Sequence, residues 1–401
     1  MPTKKSNIFF HTGPNGDGAN MTGIGDAMRD LHNAGIPVFL KSADNYGPIY
    51  ELDRIIDPNG IVNHVMVYRI TDKPEYTYDT PRYHDMPDDP EGAADLHWRM
   101  TKTRVPPEFN KQRVWLELTN EVDRNKCEWL GRFAIRISDL AEAEGYKVLL
   151  FGWASGEPEP IGWEEPSMLR FLQTCADKPN QRGVSLHEYS YIVDDILHQF
   201  PFKLGRFQYL FATCDKHGIN RPTTAITEWG WTLDNVPGES EAMPDVEIGA
   251  RLYAPYSNIL GAAIWYLGPG FAGIGNKAQK LIKPVTGWTI SANIEYNKDP
   301  EITQLPSIGD WEQYGENMKT NTLVSGGISG LWDKDVTKIT YQFQFVRGGK
   351  LVDGAEHAIV IPADIDLRGV KINVHYDIES EKAEQVIENE SIGVDISHWN
   401  T

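Results

Sequence analysis

Cysteine is scarce in this chain: among 401 residues only Cys127, Cys175 and Cys214 occur. None stands in a Cys-x-x-Cys spacing, which argues against both a disulfide framework and a zinc site. Long apolar runs are also missing, and no stretch of about 18 or more apolar residues suggests a membrane span. Basic charge is in deficit, with 38 Lys and Arg against 57 Asp and Glu, a net charge of −19 at pH 7. That balance excludes nucleic acid and an anionic membrane surface as natural partners, since each needs a basic face. A neutral polymer such as a polysaccharide stays compatible. The opening residues, Met1 to Ile8, lack a signal-peptide core and lead straight into a strand-like run. Two expectations follow: a cytoplasmic protein, or a secreted one whose leader has been cut off, with secretion slightly favoured if so. Neither an internal repeat nor a low-complexity tract is present.

What the chain does have is a regular series of short β-prone runs in its first 270 residues or so. They are Ile8–Thr12, Val38–Ser42, His64–Ile70, Val114–Leu118, Val148–Trp153, Val184–Tyr189, Thr224–Glu228 and Ala262–Leu267. Helical patterns lie between them. Trp129-Leu130, Phe133-Ala134, Ile137 and Leu140-Ala141 repeat at the spacing of one helix face, and Gly145 supplies the stop. Leu169, Phe171-Leu172 and Cys175 do the same, as do Phe207, Leu210-Phe211 and Cys214 before Gly218. Alternating strands and helices mean a parallel sheet, and eight units over this length predict a (β/α)8 barrel for residues 1–290. An open doubly wound sheet is the alternative, but no Gly-rich phosphate loop follows the first strand. The connection from about Asp72 to Asn110, rich in Pro, Asp and Tyr, reads as a long loop over one side of the barrel.

Past residue 290 the periodicity changes. Thr337–Val346 alternates polar and apolar residues, and His357–Pro362 and Val370–Tyr376 look like further strands. A small β-rich domain over 291–376 is expected, then an acidic stretch, Glu379–Glu390, as helix or linker within 377–401.

In a barrel of this kind the functional residues stand at the C-terminal ends of the strands. Those ends carry His11, Asp44 and Asn45, Arg69, Asn120 and Glu121, Trp153, His187 and Tyr189, Glu228, and Trp265. Glu121 and Glu228 each close an apolar run and open a polar loop, and two carboxylates facing each other across a cleft are what acid/base cleavage of a glycosidic bond requires. Singly, each has an ordinary structural reading, as a helix cap or a buried partner of arginine. Asn-Glu after the fourth strand, His-x-Tyr on the sixth, Glu on the seventh and Trp at the eighth form a combination with no such reading. The acidic stretch His84–Asp89 lacks the ligand spacing of a calcium loop and reads as a solvated face.

With those residues in place the chain resembles clan A of the glycoside hydrolases. Trp115 through Glu121 is similar to the clan's Trp-Glu-x-x-Asn-Glu signature with one added residue after the Trp. Two departures stand out. Val122 occupies the position where Pro is common, and the second strand ends in Lys41-Ser42-Ala43-Asp44 without the Arg that several member families place near the nucleophile. The resemblance implies a retaining glycosidase acting on a β-linked polysaccharide or oligosaccharide, with Glu121 as general acid/base and Glu228 as nucleophile. It assigns Asn120 to the sugar 2-OH, Tyr189 to a hydrogen bond on the nucleophile and Trp265 to a sugar platform. His187 would orient either carboxylate, and Asp44, His11 and Trp153 complete the substrate-binding set, Trp153 as wall or core. Glu117 is expected as a buried structural partner and Glu157 as a loop residue. No cofactor or metal is expected, because a metal-dependent barrel would want His-x-His on the first strand and that strand offers only His11. A barrel that binds carbohydrate without cleaving it is the competing function. The closing residues, Gly393 to Asn400, resemble the opening strand of family 25 lysozymes, which implies the start of a following domain with no sheet to join here. Oligomeric state is not readable.

Overall fold

The computed structural model describes residues 1–56, 62–191, 193, 196–197, 200–302 and 305, and further on the backbone of strands at 323–327, 338–347, 350–360, 371–377, 386–388 and 393–400. The chain divides into two compact units, Met1–Thr303 and Gln304–Thr401.

The first unit is a (β/α)8 barrel. Its strands are Ile8–Thr12 (β1), Phe39–Ala43 (β2), Val65–Arg69 (β3), Val114–Glu117 (β4), Lys147–Trp153 (β5), Arg182–Tyr189 (β6), Thr223–Gly230 (β7) and Ile259–Ile264 (β8). Each pairs in parallel with the next, and β8 returns to β1 through Ile8 beside Ala262 and Phe10 beside Ile264, so the sheet has no edge. Nearly every strand residue is buried, as expected for strands packed on one face by helices and on the other by the barrel interior. A short antiparallel pair, Thr3–Lys4 with Ile294–Glu295, ties the two ends of this unit together.

The helices follow the apolar spacing of the sequence. Cys127–Ala143 buries Leu130, Phe133, Ala134, Ile137 and Ala141, while Arg132 and Arg136 on its outer face pair with Glu91 and Asp95. Gly145 ends it in the left-handed conformation (φ 84°), and Tyr146 N donates back to Ala141 O at 3.0 Å, a Schellman closure. Among the described residues no helix is long and apolar enough to cross a membrane.

The long connection after β3 is only partly a loop. It contains the helix Pro90–Lys102, capped by the Asp89 side chain accepting from Gly92 N at 2.9 Å, with Ala93, Ala94, His97, Trp98 and Thr101 facing the barrel. The flanking Pro and Asp residues dominate the composition, but the Asp-Pro pair is a helix-start signal.

Inside the barrel, Phe39, Val67, Trp115, Leu149, Ala225 and Ala263 form one apolar layer. Side chains alternate along a strand, so the residues two further on point the same way. These are Lys41, Arg69, Glu117 and Thr227, with Trp265 just past β8. The apolar plug is therefore roofed by a charged layer, and the C-terminal mouth of the barrel opens above it.

In the second unit, 338–347 lies between 323–327 and 350–360 in an antiparallel sheet. A second sheet places Gly393–Asn400 between Lys371–Asp377, parallel to it, and Val386–Glu388, antiparallel to it. The closing strand, expected to have no sheet to join, thus has two neighbours within this chain. Of the acidic stretch Glu379–Glu390, only Val386–Glu388 falls among the described residues.

Candidate active site

Glu121 is positioned by the strand next door. After β4 the chain turns through Leu118–Glu121, held by Leu118 N on Leu149 O (3.1 Å), Asn120 N on Asp79 O (2.6 Å) and Glu121 N on Gly152 O (2.8 Å). Glycine is required at 152: its φ is 49°, and a Cβ there would stand 3.0 Å from Thr119 O and 3.2 Å from Asn120 Cα. Thr119 Oγ1 returns the brace by accepting from Phe151 N at 2.9 Å. Glu121 itself has φ 44°, a sparsely populated region for a side-chain-bearing residue and one that recurs at functional sites.

Glu228 sits on β7 directly beside His187 of β6, with only 5 % of its side chain exposed. Tyr189 Oη donates to Glu228 Oε2 at 2.7 Å. Arg69 Nη2 lies 3.6 Å from Oε1, and His11 Nε2 lies 3.9 Å away. The resemblance left the arginine near this carboxylate unaccounted for; β3 supplies it. Lys41, at the β2 position, instead makes a buried contact with Glu117, which also accepts from Thr227 Oγ1 at 2.6 Å.

His187 joins the two carboxylates. Its Nδ1 is 3.2 Å from Glu121 Oε1 and 3.4 Å from Glu228 Oε2, and one atom from each of the three residues falls within 4.8 Å of the others. Three such donors could in principle hold a metal ion. The set fits a proton-transfer pair better, because Arg69 already places a cation beside Glu228 and Tyr189 already donates to it.

The charges agree with this geometry. The hydrogen bond from His187 holds the Glu121 carboxyl below its ordinary range, an effect that burial opposes. Burial, reinforced by the charge of Glu228, pushes the Tyr189 hydroxyl well up, so it stays a donor. His11 is driven well down by burial and then by Lys41 and Arg69, and is neutral. Glu157 is pushed up by burial and lies 3.7 Å from Arg124.

Of the other residues expected here, Asn120 has a buried Oδ1 with no partner among the described residues, and the Trp265 Nε1 likewise lacks one there. Trp265 is 7 % exposed, with Tyr266 stacked on it (3.9 Å between centroids, 11°) and the His11 ring at 4.9 Å. Three expectations need correction. Trp153 is fully buried against Phe151 and Trp163, which leaves no ring face for a sugar. Asp44 accepts from Thr71 N and Oγ1 and from Lys73 Nζ (2.5 Å), so its carboxylate is engaged in fastening the loop after β3. His11 is fully buried and meets Glu228, not open solvent. Sequence reasoning put Arg69 on the rim without a role, and it overlooked Ser155, whose Oγ accepts from Tyr189 N (2.6 Å) and donates to His187 O (3.1 Å).

No protein-family model matches the chain, and no curated protein matches it. Solved structures are similar to it at low identity. A tri-modular GH5 (subfamily 4) endo-β-1,4-glucanase from Bacillus licheniformis aligns with a TM-score of 0.43 at 11 % identity, over 89 % of this chain and 78 % of that one. A Bacteroides ovatus GH5 xyloglucanase, solved with an XXXG heptasaccharide, gives 0.40 at 10 % identity, over 72 % and 75 %. A β-glucuronidase from Ruminococcus gnavus gives 0.41 at 13 % identity, over 65 % of this chain and 43 % of that one.

Proposed function

We propose that the chain is a retaining glycoside hydrolase that cleaves β-linked oligo- or polysaccharides, with Glu121 as acid/base and Glu228 as nucleophile. The observation that carries this reading is the grouping of Glu121, His187 and Glu228 atoms within 4.8 Å at the C-terminal mouth of the barrel. Retaining enzymes hold their carboxyl groups about 5–5.5 Å apart, whereas inverting ones need about 6.5–9.5 Å to admit a water.

In the first step a Glu228 oxygen attacks the anomeric carbon while Glu121 gives its proton to the glycosidic oxygen. The bond to the leaving sugar breaks and a glycosyl ester forms on Glu228. In the second step Glu121, now ionised, takes a proton from water as that water attacks the same carbon. The ester opens, and Glu228 departs as a carboxylate. Arg69 and Tyr189 place a guanidinium and a hydroxyl donor beside its oxygens.

In the free protein Glu121 is held low, opposite to what a general acid needs. Its side chain is 47 % exposed, so a sugar in the cleft strips water from it. That desolvation, with the charge of Glu228 nearby, raises its affinity for the proton at the moment of use. The orphaned Asn120 Oδ1 supports contact with a sugar hydroxyl, where hydrogen bonds strengthen in the transition state.

The test is release of reducing ends from glucans, mannans, xylan and peptidoglycan, with and without a chelator, followed by proton NMR of the first-formed anomer. Chelator-insensitive release with retained configuration is expected. Inverted product would replace Glu228's attack with a water-mediated one, and loss of activity with chelator would favour the metal reading.

A further inference from the structure

Four aromatic rings run in an unbroken row past Glu228. Tyr191 and Tyr189 have centroids 5.9 Å apart, Tyr189 and Trp265 6.4 Å, and Trp265 and Phe271 5.2 Å. The inner two are buried. The outer two are not: Tyr191 is 41 % exposed and Phe271 45 %. Large aromatic surface left in water costs free energy, so a protein that holds two rings open beside a reactive carboxylate needs a reason.

The backbone at both ends is built to present them. Tyr191 has φ 57°, and Lys203 Nζ stands 4.2 Å over one face of its ring. At the other end Gly270, Phe271, Ala272 and Gly273 have φ of 79°, 47°, 52° and 73°, four residues of positive φ in succession. Gly273 N closes that turn on Gly270 O at 3.0 Å. Left-handed conformations at Phe271 and Ala272 cost on the order of 1 kcal/mol or more each, and they persist where the surrounding structure demands a side chain in one place. The Phe271 ring meets both Trp265 and Tyr266 edge-on (77° and 86°), which fixes its orientation at the rim.

We infer that Tyr191 and Phe271 are sugar-stacking residues on opposite sides of the scissile bond, Tyr191 under the leaving-group sugar and Phe271 under a glycone sugar, so that the cleft takes the interior of a β-linked chain. This rests on the roles proposed for Glu121 and Glu228. Tyr191 is assigned to the leaving-group side because it follows β6, on the Glu121 side of the strand that carries Glu228, whereas Phe271 follows β8 on the other side of that strand. Phe271 continues from Trp265 at the far end of the row. A chain seated on both rings is cut internally, not trimmed from one end.

The experiment uses the whole chain and whichever reducing-end-labelled pentasaccharide of β-linked glucose, mannose, xylose or N-acetylglucosamine it cleaves. The β-fluoride of the matching trisaccharide serves as a second substrate, with no sugar on the leaving-group side. Tyr191→Ala is expected to lower kcat/KM on the pentasaccharide about tenfold (about 1.4 kcal/mol) and leave the fluoride unchanged. Phe271→Ala should lower both by about as much, and Tyr191→Phe should restore the pentasaccharide rate, since the ring and not the hydroxyl does the stacking. Both rings are exposed, so folding is checked by an unchanged melting temperature. Wild-type rates in both alanine variants, or release of single sugars from one end, would overturn the inference while leaving the hydrolase reading intact. Absence of any hydrolysis by the wild type would overturn both.

Discussion

Replacing Lys41 by Met tests whether the charged layer beneath the site is held by one buried pair. Lys41 and Glu117 have no exposed side-chain surface, and they contact each other directly. Around Glu117 the other polar groups are Thr227 Oγ1 at 2.6 Å and Arg69 Nε at 3.9 Å. Lys41→Met would leave a buried carboxylate with one hydroxyl donor and a guanidinium beyond hydrogen-bond distance. Breaking a buried pair in this way costs about 3–5 kcal/mol, because the remaining charge keeps its full desolvation penalty. At about 2 °C per kcal/mol for a large domain, the barrel's melting temperature should fall by roughly 6–10 °C in calorimetry. The double variant Lys41→Met/Glu117→Leu removes both charges and keeps the volume. It should regain most of the loss, less about 1 kcal/mol for the Thr227 hydroxyl left without its acceptor. A single variant within about 1 kcal/mol of wild type, or a double variant as unstable as the single, would refute the reasoning.

Three further outcomes are expected. Tyr189→Phe removes the 2.7 Å hydrogen bond to Glu228 without opening a cavity, so kcat should drop about 10- to 100-fold with unchanged circular dichroism, hydrogen bonds to charged groups being worth about 1.5–3 kcal/mol. Glu188, fully buried with its oxygens on Gly205 N, Phe207 N and Tyr253 Oη, has its carboxyl pushed up to about 7 by burial. Its folded value lies above the unfolded one, so the native state binds the extra proton and stability should fall as pH rises from about 4.5 to 7, then level off. Urea midpoints across that window should show the slope, and Glu188→Gln should flatten it. Glu121→Ala should slow hydrolysis of natural linkages far more than that of activated aryl glycosides, which need little protonation; equal losses on both would remove Glu121 from the acid role.

The barrel was readable because its strands are buried on both sides and so stand out as short apolar runs at regular spacing. The eighth, expected at Ala262–Leu267, begins earlier, at Ile259, because the run Ile259–Ile264 includes glycine and alanine and carries a weak β signal. The helix Pro90–Lys102 was hidden in a stretch whose Pro and Asp content resembles a loop. Strand-end counting put Glu121, Glu228, His187 and Tyr189 at the same end of the barrel, since position along a strand fixes which end a residue occupies. What it could not supply was direction. Arg69 and Lys41 both end strands near the centre, yet Arg69 lies between Glu228 (3.6 Å) and Glu117 (3.9 Å), while Lys41 contacts Glu117. Trp153 fell to the core for a related reason: β5 carries a bulge at Phe151 (φ 86°) and Gly152, and that shifts which side chains face the mouth.

The most direct measurement of the central claim is mass spectrometry of the protein after treatment with a 2-fluoro glycoside of a sugar it accepts. The fluorine slows the second step more than the first, so the glycosyl ester accumulates. The account predicts the label on the peptide carrying Glu228, with none on Glu228→Gln. Label on the peptide carrying Glu121, or turnover without any covalent adduct, would contradict it.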